Sequence, residues 1–215
     1  MRIAYTPTVG TTMLPLILSA LHDGNAGIQL SAQEVWLHEA IRGLHEDRFT
    51  VAFVRYPPDE DADLDTRLVR VERGGVTLSD RHPAACKPVV TPTDLADSTL
   101  MLFPRETSPG LFDVVTAAFP RNVEAGQVYE YENFSQAGFM GDPVARMEIA
   151  AGRAFSVRLG PLETLPPQGF RYCAVDPAID VGVHVAYVKS HRTSAVESIL
   201  ETVQGLAESH GWINA

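Results

Sequence analysis

Apolar residues along the chain follow two spacings, one typical of buried strands and one typical of amphipathic helices. A short strand is predicted at 2–6, and a loop rich in Thr, Pro and Gly then leads into a helix with apolar residues from 13 to 21. About 100 residues later, a strand at 99–103 leads through a second Pro- and Gly-containing loop into a helix at 111–115. Loops of this kind leave the carboxyl end of a strand, where open α/β sheets bind small ligands. Two such units predict two α/β lobes with a ligand between them.

The remaining pattern adds elements to both predicted lobes. Near the start it predicts a strand at 28–32, a helix with the stripe Leu37, Ile41 and Leu44, and an apolar strand at 49–54. Gly74-Gly75 is compatible with a crossover between lobes and also with an ordinary turn.

Later elements carry clearer end signals. Asp142 is the predicted N-cap of a helix at 143–151, and Gly152 ends it. β-rich segments at 170–175 and 181–188 are separated by 176–180, where a second crossover is expected. Ser194 and Glu197 form a predicted capping box for the last helix.

Composition and charge argue against two kinds of partner, nucleic acid and membrane. The chain has 215 residues, 45% of them hydrophobic, and a net charge of −10. An acidic chain is a poor match for nucleic acid, which requires clustered Lys and Arg, so no nucleic-acid partner is expected for this chain. No apolar run approaches the roughly 20 residues of a membrane span, so no membrane partner is expected.

The sequence offers few candidates for metal-binding or catalytic residues. Cys86 and Cys173 have no metal-ligand spacing and are expected to be free thiols in a reducing cytoplasm, although they could pair in principle. Five carboxylates lie within 59–65, which favours a solvated loop over a metal site. The seven histidines form no zinc motif, and no nucleophile elbow or phosphate-binding loop is present. Neither a metal, a cofactor nor a catalytic residue is predicted.

Several strings, in their order and spacing, resemble one family, the effector-binding (regulatory) domain of LysR-type transcriptional regulators. The strings are Arg2-Ile3-Ala4-Tyr5 followed by Met13-Leu14-Pro15, Val51-Ala52-Phe53-Val54-Arg55, Thr66-Arg67-Leu68-Val69, Ser79-Asp80-Arg81-His82-Pro83, Asp94-Leu95-Ala96, the run from Leu102 to Leu111, and Ile149-Ala150-Ala151-Gly152. The resemblance covers almost the whole chain. The stretch 133–144 is longer than is usual in the family, which implies an atypical ligand.

The resemblance implies an α/β fold of two Rossmann-like lobes joined by two crossover segments, the type 2 periplasmic-binding-protein architecture. Lobe one would take 1–77 with 181–215 returning to it, and lobe two would take 78–180. The family's DNA-binding helix-turn-helix is absent from this chain. The implied protein is cytoplasmic, forms a homodimer, or a tetramer when intact, and binds a small-molecule effector such as an organic or aromatic acid.

The expected ligand-binding residues all follow strand carboxyl ends. They are Thr8, Gly10 and Thr11 in the first loop, Arg55 after the third strand, Phe103, Pro104 and Arg105 in the second unit, and Asn133 and Phe134 in lobe two. Each has an alternative interpretation: a simple N-cap for the threonines, a surface ion pair for the arginines, and a core position for Phe103.

Two other functions remain open at this point. A solute-binding protein of a transporter shares the fold, and an export signal upstream would distinguish it from a regulator. A small α/β enzyme would need paired acid and base groups with perturbed pKa values, and the sequence contains no recognisable pair of this kind.

Overall fold

The chain forms two compact α/β units. The computed structural model describes residues 1–6, 9–10, 13–24, 29–55, 61–131, 138–160 and 166–213. The first unit comprises Met1–Val71 and Gly182–Ala215, and the second comprises Glu72–Val181. The chain therefore passes twice between the units.

Strands and helices alternate through most of the described residues. The strands are β1 (Arg2–Tyr5), β2 (Ser31–Glu34), β3 (Val51–Arg55), β4 (Leu64–Ser79), β5 (Val89–Val90), β6 (Thr99–Leu102), β7 (Val128–Glu130), β8 (Ala154–Arg158) and β9 (Phe170–Val188). The α-helices are α1 (Leu14–Gly24), α2 (Leu37–His45), α3 (Pro109–Ala118), α4 (Pro120–Glu124), α5 (Pro143–Ala150) and α6 (Ser194–His210). The α/β fold class predicted from the sequence is confirmed.

In the first unit, helices cover both faces of the sheet. The strand order is β2-β1-β3-β9, with β1 parallel to β2 and β3, and β9 antiparallel to β3. Ile17 of α1 and Ile199 of α6 pack with Phe53 on one face. Leu44 of α2 packs with Val54 on the other face. All five residues of β3 are buried, as expected for a strand covered on both sides.

The second unit repeats this arrangement with different strands. Its order is β4-β8-β6-β7, with β5 paired in parallel to β9. Ile149 of α5 packs with Met101 on one face. On the other face Phe119 contacts Phe155 edge to face, with ring centroids 5.0 Å apart.

The ordinary turn that Gly74-Gly75 could have formed is not present, and the segments predicted at 170–175 and 181–188 are not separate strands. β4 runs without interruption through Gly74-Gly75, and β9 runs through 176–180. Gly74 permits this continuity by close packing, since a Cβ there would lie 2.9 Å from the carbonyl oxygen of Ile179. The units divide at 71/72 and 181/182, within these strands.

The helix starts confirm one predicted cap and correct another. Asp142 accepts hydrogen bonds from the backbone N–H groups of Val144 and Ala145, both 2.9 Å, as predicted for α5. The N-cap of α6 is Thr193, whose hydroxyl accepts from Val196 N–H, so Ser194 is the first helical residue and not the cap. Glu197, expected to complete the box, forms an ion pair with Arg192.

The strand predicted at 28–32 also shifts along the chain. β2 spans Ser31–Glu34, and Ile28 lies outside the described residues. Three of the four β2 residues are exposed. The apolar-polar alternation used for the prediction therefore did not mark a half-buried strand.

Candidate functional site

The carboxyl ends of β1 and β3 lie side by side in the first unit. The N–H of Thr6 donates to the carbonyl of Phe53 (3.0 Å), and the N–H of Val9 donates back to the carbonyl of Thr6 (3.2 Å). Half-buried Gly10 continues this turn toward α1. Predicted residues Thr8 and Thr11 belong to the same loop but lie outside the described residues.

Thr6 is a polar residue at this edge that the sequence prediction missed. Its side-chain oxygen is buried and has no hydrogen-bond partner among the residues that the structure describes. A buried hydroxyl without a partner carries a free-energy cost, so it is available to a ligand group or water. The available signal was a polar residue directly after an apolar strand.

The two helices that begin at this edge differ in their first turns. Glu39 of α2 accepts a hydrogen bond from the backbone N–H of Trp36 (3.1 Å), so an internal carboxylate already lies at that helix start. α1 has no acidic residue in its first turn. Because helix N-termini favour negative charge, α1 is the better place for an external anion.

Arg55 ends β3 with its side chain in the interior. It is 3% exposed and stands opposite Val183 in the sheet. By strand alternation it shares a face with Phe53, toward α1 and α6. The alternative of a surface ion pair therefore does not apply to Arg55.

The predicted apolar residues of the second unit follow β6. Phe103 is 5% exposed and contacts Phe112 edge to face, with centroids 6.2 Å apart. Pro104 is half-buried and precedes a 3₁₀ turn at Arg105–Thr107. These contacts match the core interpretation of Phe103.

Arg105 is exposed, and its side chain forms an ion pair with Asp113 of the following helix, α3. Its Nε and terminal nitrogen donate to the two oxygens of Asp113, both at 2.8 Å. Its backbone N–H donates to Glu130 (3.0 Å). The hydrogen bonds between these side chains, together with the attraction of their charges, raise the pKa of Arg105 and lower the pKa of Asp113. Arg105 thus has the ion pair that was its alternative interpretation.

Asn133 and Phe134 lie outside the described residues. The residue that leads toward them, Tyr131, is buried beside Phe139 and Ile149. Burial raises the pKa of the Tyr131 hydroxyl, and a hydrogen bond with Ser156 partly offsets this effect. Tyr131 therefore remains neutral and anchors the end of β7.

A buried polar network that sequence reasoning did not find joins three segments of the second unit. His82 Nδ1 accepts from the N–H of Ala84 (3.1 Å), and Nε2 lies 2.9 Å from the hydroxyl of Ser98. The Asn122 amide donates to the carbonyls of Leu95 and Ser98, at 2.9 and 2.7 Å. Because Nδ1 accepts, the ring is neutral, and burial lowers the pKa of His82.

Within the described residues, no group of three or more His, Cys, Asp or Glu side chains is placed to hold a metal ion. In the acidic segment, Asp61 binds His45 (2.8 Å) and Asp65 accepts from the hydroxyl of Tyr187 (2.7 Å). No described helix is long and apolar enough to span a bilayer.

The fold and the sequence together identify the class to which this protein belongs. Two α/β units connected by two strands define a ligand-binding domain of the type 2 periplasmic-binding-protein-like fold. The chain belongs to the LysR substrate binding domain family, whose sequence profile matches residues 1–207. The predicted resemblance is thereby confirmed. Members of this family are the effector-sensing domains of transcriptional regulators and not enzymes.

One characterised relative agrees with this assignment. A 75-residue stretch is 28% identical to the HTH-type transcriptional regulator BudR of Raoultella terrigena, covering 35% of this chain and 26% of that regulator. The match thus spans about a quarter of that relative.

Solved structures share the fold at low sequence identity. The reduced OxyR regulatory domain of Pseudomonas aeruginosa is 20% identical with a TM-score of 0.74, covering 94% of this chain and 96% of that one. The BenM effector binding domain with its effector benzoate is 20% identical with a TM-score of 0.77, covering 99% and 93%. Full-length CbnR in complex with its target DNA is 19% identical with a TM-score of 0.76, covering 95% and 69%.

Proposed function

We propose that this chain recognises a small organic or aromatic acid and thereby controls DNA binding or transcription by the intact regulator. The effector would favour one conformation of the domain. A ligand shifts such an equilibrium only by the difference between its affinities for the two conformations. In the intact protein, which we place in the cytoplasm as a homodimer or tetramer, that shift would reach the DNA-binding domains.

The observation that carries the proposal is the polar edge of the first unit. Thr6 has a buried hydroxyl without a partner among the described residues, and the start of α1 lacks an internal acid. Arg55 adds a buried positive charge at the end of the adjacent strand. A carboxylate would be stabilised by hydroxyl and amide donors and by this charge. Thr8, Gly10 and Thr11 belong to the same proposed anion-binding loop.

The other predicted ligand residues belong to the second unit. Phe103 and Pro104 follow β6, and Phe134 is proposed as a further apolar contact with Asn133 as its polar neighbour. Small-ligand sites combine apolar walls with a few polar groups in this way. Arg105 stays in the proposed set, but its bidentate pair with Asp113 would have to open for it to contact the ligand.

Calorimetric titration with benzoate and related acids tests the site. We expect Thr8→Ala, Thr6→Val and Arg55→Ala each to weaken binding by roughly ten- to hundred-fold, since each removes one hydrogen bond or charge-assisted contact. Arg105→Ala should have a smaller effect because Asp113 already engages that guanidinium.

Thr99→Val provides a control, because Thr99 begins β6 at the opposite end of a strand from the proposed site. It should bind like the parent. Thr6→Val leaves the buried Arg55 in place, so it tests the same site even if the Arg55 variant does not fold. Parental affinity in all of the folded Thr6, Thr8 and Arg55 variants would refute the assignment.

A further inference from the structure

A separate cavity of about 300 Å³ lies within the second unit. It opens between the segment that follows a 3₁₀ turn at Pro83–Cys86 and the beginning of β9. These two segments are fixed side by side, because Val89 and Val90 of β5 pair in parallel with Ala174 and Val175 of β9. The register brings Pro88 next to Cys173, and both residues line the cavity.

The polar part of the lining carries positive charge. Lys87 and Arg171 are its charged residues, and no carboxylate belongs to the lining within the described part of the chain. This is notable in a chain with a net charge of −10. The charged side chains that line the cavity among the described residues are therefore both basic.

Each cation is oriented by an acid that does not line the cavity. Lys87 Nζ lies 2.5 Å from Asp94, and Arg171 Nε lies 2.6 Å from Asp80. The Asp80 contact uses only the Nε side of the guanidinium, so the terminal nitrogens of Arg171 make no hydrogen bond to a described residue. A guanidinium fixed from one side retains donors for a planar anion on the other.

The rest of the lining is mainly apolar. Ala85, Pro88 and Pro166 supply aliphatic surface, and Tyr172 supplies an aromatic ring. Arg158 lies over that ring, with its guanidinium carbon 4.2 Å from the centroid, which restricts the ring's movement. The volume is at the lower limit of typical small-molecule sites, which begin at roughly 300 Å³.

We propose that this cavity is a second ligand site, for a small organic carboxylate with a compact apolar body. The carboxylate would accept hydrogen bonds from Arg171 and Lys87, and the apolar body would lie against Pro88, Pro166 and Tyr172. Because every described lining residue belongs to the second unit, the site does not depend on the proposed effector site. A bound ligand would connect the 85–88 segment with β9 and stabilise the unit.

Nuclear magnetic resonance titration of the complete chain tests the site with benzoate as the probe and neutral benzamide as its matched control. Benzoate should shift the amide resonances of Ala85, Lys87 and 171–173 in a saturable manner, and benzamide should not. Arg171→Gln and Lys87→Gln should each weaken this binding by about ten-fold, the usual effect of losing a charge-assisted hydrogen bond.

Arg153→Gln is the matched arginine control. Arg153 is similarly exposed and paired, with Glu148 at 2.7 Å, but it does not line the cavity. It should bind benzoate at this site like the parent. Equal shifts with benzamide, equal effects of the Arg171 and Arg153 variants, or shifts confined to the first unit would overturn the proposal. Arg55→Ala should leave the 171–173 shifts unchanged, which separates this site from the effector site.

Discussion

His82 shows how a single buried side chain can make stability depend on pH. The ring is 4% exposed, and its Nδ1 accepts a hydrogen bond from the N–H of Ala84. Protonation would remove that acceptor and place an uncompensated charge in the interior. The folded-state pKa is therefore below the unfolded value of about 6.5, as burial requires.

The sign of the pH effect follows from proton binding. Below about pH 6.5 the unfolded chain binds a proton at His82 that the folded chain does not bind, so the free energy of unfolding decreases as pH falls. The loss is at most about 1.4 kcal/mol per pH unit. Urea unfolding at about pH 7.5 and about pH 5.5 should show this loss in the parent and a smaller one in His82→Gln.

The exposed His22 offers a control, since His22→Gln should retain the full dependence of the parent. An equal pH dependence in the parent and in His82→Gln would show that another group is responsible.

At the scale of elements, the start of α6 distinguishes two adjacent hydroxyl residues. Thr193 accepts from Val196 N–H and is the N-cap, whereas Ser194 is already helical. Thr193→Ala should lower the free energy of unfolding by about 1 kcal/mol, and Ser194→Ala should change it by less than about 0.5 kcal/mol. Chemical unfolding of the two variants measures this difference. If Ser194→Ala lowered the free energy of unfolding more than Thr193→Ala, the result would support the capping box predicted from the sequence.

The same helix illustrates what sequence patterns can determine. The apolar face containing Ile199 and Val203 was predictable because a 3.6-residue spacing directly reflects one buried side. The cap was displaced by one residue because Thr193 and Ser194 have similar chemistry, and only backbone geometry separates them. The continuity of β4 was not predictable, since Gly74-Gly75 is compatible with a turn until its packing against Ile179 is known.

The candidate site was predicted less well than the fold for a related reason. Strand ends locate loops, so the positions of Arg55 and Phe103 followed from the pattern. Whether a side chain is buried, exposed or already paired depends on residues distant in sequence. Asp113 lies eight positions after Arg105, and Thr6 depends on contacts across the sheet.

At the scale of the whole molecule, the surface of α1 supports the proposed association. Leu16 is 42% exposed, although its neighbours Leu14 and Ile17 are buried. We expect a homodimer in which α1 of one copy meets the second unit of the other. Sedimentation equilibrium at roughly tens of micromolar should detect the dimer, and Leu16→Lys should weaken it by about ten-fold or more.

Ile213→Lys serves as the comparison, because Ile213 is also exposed (47%) in the first unit but lies beyond α6. It should associate like the parent. A monomeric parent at these concentrations, or a Leu16 variant that dimerises normally, would show that α1 is not the interface.

Because the chain crosses between the units in β4 and β9, the order of synthesis determines which unit can fold first. The second unit is one uninterrupted stretch, Glu72–Val181, and all of its residues emerge before the last segment of the first unit. The first unit must wait for Gly182–Ala215, which brings Val183 and α6 to its core. During synthesis the inserted unit can therefore mature first, while the earlier-made β1 and β3 remain incomplete. Premature termination after residue 181 would spare the inserted unit and leave the apolar face beneath α6 open to aggregation.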